Sequence, residues 1–323
     1  MFSTIRSACA EVAERARYVT LNKDKLTAYA YALPAETTTP IYDTLHHFVG
    51  SPDDTLAYVI TLDAVNFGSG YFPYLQKRPG MSGYFTVASA LKDHFDAHGP
   101  LDAKALSNLS VQECSRLFRQ DLKHPVRAEL MRHFARALND LGHYLLQHFG
   151  GKFTTLVEAA DGSAERLATS LAQMPYFQDV ATYEDFNVPL YKRAQITASD
   201  LALASDGAGY GAFKDLDKLT IFADNLVPHV LRLDGILNFD ESLEARINGG
   251  TLIVPGSSEE VEIRAVALHA VEGMVAVLRE EGRNTGRVEE KITAQNLDVR
   301  LWDRGQGGRY KAQPRHRTRT VFY

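Results

Sequence analysis

The sequence predicts a mostly α-helical protein that folds as a single large domain over residues 1–323. Along most of the chain, apolar residues recur at spacings of three and four, which is the period of an amphipathic helix. Several of these stretches follow residues that favour a helix start. With 323 residues and 45% hydrophobic content, the chain can bury a large core. That core belongs either to one domain or to two intimately packed helical lobes.

Two long helices are predicted most clearly. Residues 127–149 carry a single apolar stripe, and Gly150 and Gly151 end it. Residues 257–280 begin with a capping-box pattern, in which Ser257 is followed by Glu260, and continue with apolar residues at helical spacing. Shorter helices are predicted near residues 2–18, 83–97, 110–121, 163–173, 193–205 and 217–237.

Little strand is expected. In the stretch ARINGGTLIVPG, the turn-forming residues Asn248, Gly249 and Gly250 precede the β-prone run from Thr251 to Val254. The sequence therefore predicts a minor β-hairpin at this point.

Asp63 raises a question because it follows a strongly apolar run. Ser51 and Pro52 favour a helix start. On that helix Asp63 shares a face with Leu56, Val59, Ile60 and Phe67. A strand is the alternative, since residues 58–61 also suit strands. A carboxylate removed from water needs a cation or several donors. Asp63 therefore either binds a partner or caps a neighbouring backbone segment.

Charge and composition exclude several classes of protein. The net charge of −5 provides no general attraction to nucleic acid, so no stable nucleic-acid binding is expected. Cys9 and Cys114 lie far apart, without zinc-site spacing, which suits a reducing compartment. No stretch approaches about 18 consecutive apolar residues. We therefore expect a soluble cytoplasmic protein without membrane association, and a monomer is the favoured oligomeric state.

The C-terminal segment is locally basic. Residues 300–323 contain seven basic residues and one acid, and the last ten residues, PRHRTRTVFY, alternate charged and uncharged positions. One interpretation is a solvated, charge-rich end. The other is an anchored segment that presents arginines to an anion, because guanidinium groups suit phosphate oxygens.

Charged residues also interrupt apolar stretches in the interior of the sequence. In PLYKRAQI, Lys192 and Arg193 would point about 100° apart on a helix, so at most one is expected to face inward. In TIFADNLVPHVLRLDGIL, Asp224 and Asn225 break a hydrophobic run just before Pro228. An aspartate at such a place is often a helix cap.

Other polar residues carry weaker signals. Glu262 and Arg264, in EVEIRAVALHAVEGM, are expected to be surface or ion-pair residues. His46 and His47 have no companion at metal-ligand spacing, so no metal site is expected there. GxSxG, P-loop and HExxH motifs are absent from the sequence.

Taken in order, these stretches resemble the queuosine salvage family, the queuosine 5'-phosphate N-glycosylase/hydrolases. The resemblance covers about residue 46 to residue 323. It is carried by LDAVNF, YKRAQI, LTIFAD with the following proline, EVEIRA, LWDRG and the terminal PRHRTRTVFY. The run Gly68-Ser69-Gly70 is not aligned with the family pattern.

The resemblance implies a mostly α-helical fold similar to helix-hairpin-helix DNA glycosylases. It further implies hydrolysis of queuosine 5'-monophosphate to queuine and ribose 5-phosphate, with no metal and no redox cofactor.

Breaking a ribosyl C–N bond builds positive charge on the sugar, which a carboxylate can stabilise. Through the resemblance, Asp224 is assigned this role, and Lys192 either holds the phosphate or tunes Asp224.

The remaining assignments concern binding. Queuine carries a secondary amine that is cationic at neutral pH, and Asp63 with Asn66 is predicted to bind it, while Phe67 supplies a stacking face. His46 is a candidate base contact, and Asn225 is a candidate substrate contact. Arg317 or Arg319, with Tyr323, is predicted to bind the 5'-phosphate.

Two other functions stay open from the sequence. One is a nucleic-acid glycosylase or lesion-binding protein, against which the acidic net charge speaks. The other is a non-catalytic queuine-binding protein in which Asp224 serves only as a helix cap.

Overall fold

The computed structural model describes residues 1–33, 41–285 and 292–323 and is mostly α-helical, as predicted. Similarity to helix-hairpin-helix glycosylases stays a prediction. In chain order the elements are α1 (Phe2–Arg15), β1 (Val19–Leu21), α2 (Lys23–Ala32), α3 (Pro52–Ala64), α4 (Gly83–His98), α5 (Ala103–Ser107), α6 (Val111–Leu117), α7 (Pro125–His148), α8 (Phe153–Glu158), α9 (Ala164–Leu171), β2 (Val180–Tyr183), β3 (Phe186–Pro189), α10 (Lys192–Ala204), α11 (Leu226–Leu233), β4 (Leu237–Phe239), α12 (Glu241–Asn248), α13 (Ser258–Thr285), α14 (Ala294–Gly305) and α15 (Gly308–Lys311).

The chain forms two compact units. Unit 1 comprises Met1–Pro40, Asp179–Lys192 and Asp217–Arg319, and unit 2 comprises Ile41–Gln178, Arg193–Leu216 and Thr320–Tyr323. Helix α10 begins at Lys192, the last residue of a unit 1 segment, and continues into unit 2.

Unit 1 is built around α13, against which α1, α2, α11 and α14 pack. Residues 260–268 of α13 are buried on every side of the helix, so this stretch forms the centre of the unit. Within unit 1, β1 pairs antiparallel with β4, and β2 pairs antiparallel with β3.

Unit 2 is centred on α7, which carries the predicted apolar stripe and contacts α3, α5 and α6. Helix α3 is buried on all sides from Thr55 to Ala64. Ser51 caps its start by accepting a hydrogen bond from the Asp54 N–H, and Pro52 occupies its first turn, as expected. The strand alternative for this stretch is wrong.

The predicted hairpin after Asn248 is also wrong. Asp240 caps a helix, α12, that continues to Asn248, and Gly250 adopts a φ of +71° to end it. The Thr251 N–H donates to the Arg246 carbonyl, which closes the turn. A glycine in the left-handed region serves a helix end as well as a hairpin, so the local signal was ambiguous. The hairpin that forms is β2–β3.

The helix predicted near 217–237 is much shorter than expected. Residues 219–223 are not helical, and α11 begins only at Leu226. Two long-range contacts hold the preceding segment open: the Phe222 N–H donates to Asp298 Oδ1, and the Ala223 carbonyl accepts a hydrogen bond from Arg264 Nε. These bonds replace the ones that a helix would have made.

Candidate active site

Asp224 lies at the end of this open segment in unit 1 and is half-buried. Its Oδ1 accepts a hydrogen bond from the Leu226 N–H at 2.7 Å, so the capping geometry considered from the sequence is present. Among the hydrogen bonds of the described residues, none reaches Asp224 Oδ2. The neighbouring Asn225 is buried and occupies the N-cap position of α11. Capping therefore uses one of the two carboxylate oxygens of Asp224.

A second carboxyl group lies beside Asp224. Asp298, on α14, is 7% exposed, and its Oδ1 accepts the Phe222 N–H at 2.9 Å. Burial raises the pKa of Asp298 to about 7; the Phe222 hydrogen bond and Lys192 oppose this shift, and the charge of Asp224 adds to it. Asp298 was not predicted from the sequence as a site residue. The available signal was its spacing, because on a helix it shares a face with Ala294 and Leu301.

Lys192 and Arg193 are 6% and 1% exposed, so the expectation that at most one would face inward is wrong. Each side chain has its own polar surroundings. The Lys192 ammonium acts on Asp298 in unit 1, and the Arg193 guanidinium binds backbone carbonyls in unit 2. The structure thus places Lys192, Asp224 and Asp298 close enough to interact electrostatically.

A buried ion pair supports this group. Arg264 Nη1 and Nη2 donate to the two oxygens of Asp179 at 2.9 and 2.7 Å, and both side chains are almost completely buried. Asp179 Oδ2 also accepts the Lys192 N–H, at 3.1 Å, while Arg264 Nε binds the Ala223 carbonyl. For Arg264 the ion-pair alternative is confirmed. Glu262 is wholly buried, so the surface alternative is wrong for both residues.

The C-terminal segment is anchored, and the solvated alternative is wrong. His316, Thr318 and Thr320 are buried, whereas the intervening Arg317 and Arg319 are half-buried. This alternation matches the alternating sequence. The Arg317 carbonyl accepts the Ile253 N–H, and its guanidinium donates to the Gly250 carbonyl.

Arg315, a neighbour in this segment, was not predicted from the sequence as a site residue. Its guanidinium is buried enough to lower its pKa, and the charge of Asp224 opposes that shift. Arg315 is therefore close enough to Asp224 to act on it. Burial likewise lowers the pKa of the adjacent His316, to about 3, so this histidine is neutral at neutral pH.

In unit 2, Asp63 is 0% exposed and lies in the last turn of α3, as the helical interpretation predicts. Its Oδ1 accepts a hydrogen bond from Asn66 Nδ2 at 3.1 Å. Asn66 and Phe67 themselves follow the helix, so the expected single helical face through Phe67 is not formed. The Phe67 ring packs edge-on against Phe134 and lies 4.8 Å from the Arg193 guanidinium.

Arg193 closes the C-terminal end of α3. Its Nη1 donates to the carbonyls of Asp63 and Ala64 at 3.0 and 2.7 Å, and its Nη2 donates to the Val321 carbonyl at 2.9 Å. A cation at a helix C-terminus satisfies carbonyls that have no partner within the helix. Arg193 therefore positions the backbone that carries Asp63.

The surroundings of Asp63 include further titratable groups that the sequence did not reveal. Burial raises the pKa of Tyr42 and Tyr84, and the charges of Asp200 and Asp63 raise both further. The two carboxylates thus act on the same pair of phenols. His47 Nε2 lies 2.8 Å from the Tyr84 hydroxyl.

His46 and Tyr323 are also in unit 2. The His46 ring stacks on Phe85 with centroids 4.3 Å apart, and its Nδ1 lies 2.6 Å from Asp43 Oδ2. Tyr323 is buried, and its backbone oxygen accepts the Gly68 N–H at 2.9 Å. That hydrogen bond gives the Gly68-Ser69-Gly70 run one structural role. Gly68 makes it with a φ of +110°, a backbone conformation that glycine adopts readily.

Within residues 1–33, 41–285 and 292–323, histidine, cysteine and acidic side chains form no cluster of three or more arranged to hold a metal ion. In the same ranges, no helix combines the length and the apolar character that crossing a membrane requires.

These features define a mostly α-helical protein whose candidate site in unit 1 combines the carboxyl groups of Asp224 and Asp298 with Lys192 and Arg315. The chain belongs to the queuosine salvage protein family, whose model matches residues 45–323. It is 36% identical over 318 residues to a protein of Sphaerobacter thermophilus, covering 97% of this chain and 95% of that one.

Two further relatives are similar in extent. A protein of Mus musculus is 30% identical, with 85% of this chain and 83% of the relative covered. One of Dictyostelium discoideum is 32% identical, with 83% and 78% covered. All three relatives carry the name queuosine 5'-phosphate N-glycosylase/hydrolase.

Proposed function

We propose that the protein hydrolyses the N-glycosidic bond of queuosine 5'-monophosphate and releases queuine and ribose 5-phosphate. The observation that carries this proposal is the state of Asp224. One of its oxygens accepts a hydrogen bond from the Leu226 N–H, and no hydrogen bond among those of the described residues reaches the other. A fixed carboxylate with an open oxygen suits a reaction that builds positive charge on a sugar.

In the proposed reaction the bond between the ribose C1' and the base nitrogen breaks, and its electron pair leaves with the base. Positive charge spreads over C1' and the ring oxygen, and the Asp224 carboxylate stabilises it. Water then adds to C1' and loses a proton, and the base takes up a proton. Because queuine is a 7-deazapurine, a carbon replaces the ring nitrogen that purine hydrolases can protonate. Most of the catalytic effect is therefore assigned to stabilising the sugar cation.

Lys192 is assigned to tuning the carboxylates. The charge of its ammonium opposes the rise in the pKa of Asp298, the carboxyl group beside Asp224. This effect supports the tuning role over phosphate binding. The phosphate is assigned to Arg317 or Arg319, both of which are half-buried, with Tyr323. Arg315 joins them as a candidate because its charge acts on Asp224.

Asp63 and Asn66 are assigned to the cationic secondary amine of queuine. Asp63 is wholly buried, and its charge acts with that of a second carboxylate, Asp200, on the same two tyrosines, which favours binding of a cation. Phe67, His46 and Asn225 keep their proposed roles as base or substrate contacts. The Phe67 ring already contacts Phe134 and Arg193, which limits the face it can offer.

The test compares the wild-type protein with Asp224→Asn, each incubated with queuosine 5'-monophosphate while free queuine is followed by mass spectrometry. The amide can still accept the Leu226 N–H, so the substitution removes the charge and keeps the cap. We expect release of queuine by the wild type and a loss of about a hundredfold or more in the variant.

The matched control is Asp240→Asn, which alters the aspartate that caps α12. It should keep wild-type activity. Failure of the wild type to release queuine would overturn the proposed reaction, and full activity of Asp224→Asn would overturn the assignment of Asp224.

A further inference from the structure

Asp298 is a buried carboxyl group beside Asp224 that the proposed reaction does not use. It lies on the buried face of α14, and its Oδ1 accepts the Phe222 N–H at 2.9 Å. Phe222 precedes Asp224 by two residues in a segment that has no helical hydrogen bonds of its own. Together with Arg264, which binds the Ala223 carbonyl, this side chain therefore fixes the backbone that leads to Asp224.

The neighbouring charged groups also influence the protonation of Asp298. Within the described residues, the charged groups that act on it are Asp224, from the loop before α11, and Lys192, at the start of α10. Two ionised carboxylates would repel each other, and the more deeply buried one pays the larger desolvation penalty. Asp298 is buried and Asp224 is half-buried, so Asp298 is the member that takes up a proton first.

We propose that Asp298 is a positioning residue that fixes the Phe222–Asp224 segment and carries the proton that the two neighbouring carboxyl groups share. This inference rests on the proposed function, because the placement of Asp224 matters through the positive charge that develops on the ribose. Asp298 itself is not assigned a contact with substrate.

Two substitutions separate the effects. Asp298→Asn keeps an oxygen that accepts the Phe222 N–H and resembles the protonated carboxyl group, but it cannot ionise. Asp298→Ala removes the acceptor and leaves the buried Phe222 N–H without it. Asp303→Asn is the matched control, because Asp303 lies on the same helix and is exposed.

The first measurement is hydrogen exchange of the peptide that contains Phe222, followed by mass spectrometry, which does not depend on activity. Asp298→Ala should speed exchange of this peptide, whereas Asp298→Asn and Asp303→Asn should leave it close to wild type. If Asp298→Ala left the exchange unchanged in a folded protein, the positioning role would be refuted.

The second measurement is the pH dependence of queuine release from queuosine 5'-monophosphate. We expect Asp298→Ala to lower kcat about tenfold or more with little change in KM, because a misplaced Asp224 loses stabilisation of the transition state. Asp298→Asn should retain kcat within about threefold at neutral pH. It should also lose a step in kcat near pH 7 that the wild type and Asp303→Asn show.

The substrate phosphate titrates alike in all variants, so a difference between the profiles reports on Asp298. Identical profiles for wild type and Asp298→Asn would overturn the proton-binding role. A wild type that releases no queuine at any pH would instead contradict the proposed function, while the exchange measurement would still decide the positioning role.

Discussion

The Arg264 guanidinium donates two hydrogen bonds, of 2.7 and 2.9 Å, to the Asp179 carboxylate, and both side chains are almost completely buried. The same two side chains also form hydrogen bonds with backbone groups. Arg264 also holds the Ala223 carbonyl, and Asp179 holds the Lys192 N–H. The backbones of the residues next to Asp224 and at the start of α10 are thus fixed by one ion pair.

Removal of one member of this pair should destabilise the protein strongly. Arg264→Met leaves the Asp179 charge buried without its partner, and we expect the free energy of unfolding to fall by about 3–5 kcal/mol. Urea denaturation measures the change. The exposed Arg166–Asp161 pair provides the control, since Arg166→Met should cost no more than about 1 kcal/mol. Equal losses in the two variants would show that burial of the Arg264 pair contributes nothing.

The sequence predicts the local part of this arrangement better than the long-range part. The start of α3 and the burial of Asp63 follow from Ser51, Pro52 and the apolar run, because capping and periodicity act within a few residues. The open Phe222–Asp224 segment depends instead on Asp298 and Arg264, which lie 76 and 41 residues away from their bonding partners. No local pattern encodes those partners, so the sequence predicts a helix there. The hydrogen bonds by which Arg193 supports the end of α3 could not be predicted from the sequence either, because their acceptors are backbone carbonyls.

Asp63→Asn should weaken queuine binding about tenfold or more, because the amide keeps the size of the side chain but removes the charge that attracts the amine. Isothermal titration with queuine measures the affinity. Asp54→Asn, near the start of the same helix, is the control and should bind as wild type does. Unchanged affinity in Asp63→Asn would refute the assignment.

Lys192→Gln distinguishes the two roles considered for Lys192. A lysine that tunes the carboxylates affects every substrate, whereas one that binds phosphate affects only the nucleotide. We therefore expect comparable losses of kcat/KM, about tenfold or more, with queuosine 5'-monophosphate and with queuosine, measured by queuine release. A loss confined to the nucleotide would assign Lys192 to the phosphate instead.

Arg317 and Arg319 should set the preference for nucleotide over nucleoside. Replacing both by methionine removes the cations and keeps much of the side-chain volume, and we expect KM for queuosine 5'-monophosphate to rise about tenfold or more. The KM for queuosine should change little, which serves as the internal control. If both KM values rose together, the arginines would support the fold rather than recognise phosphate.

The stability of the protein should reveal the raised pKa of Asp298. Its folded value is about 7, above the unfolded value near 4, so the folded state binds the extra proton between these pH values. Stability therefore falls as pH rises from about 4 to 7, by at most about 4 kcal/mol, and levels off above pH 7. Asp298→Asn should lack this contribution in urea denaturation at a series of pH values. Parallel curves for the two proteins would contradict the prediction.

Glu262 places a constraint on the order in which the chain can fold during synthesis. Its Oε2 accepts hydrogen bonds from the N–H groups of Arg17, Tyr18 and Val19, which lie 243 to 245 residues earlier. Strand β1 likewise cannot pair until β4 has been synthesised. At ribosomal rates, roughly 10 to 50 s separate the synthesis of these partners. The amino-terminal segment must therefore spend that time without its native contacts, while Ile41–Gln178 of unit 2 already contains most of its own helices.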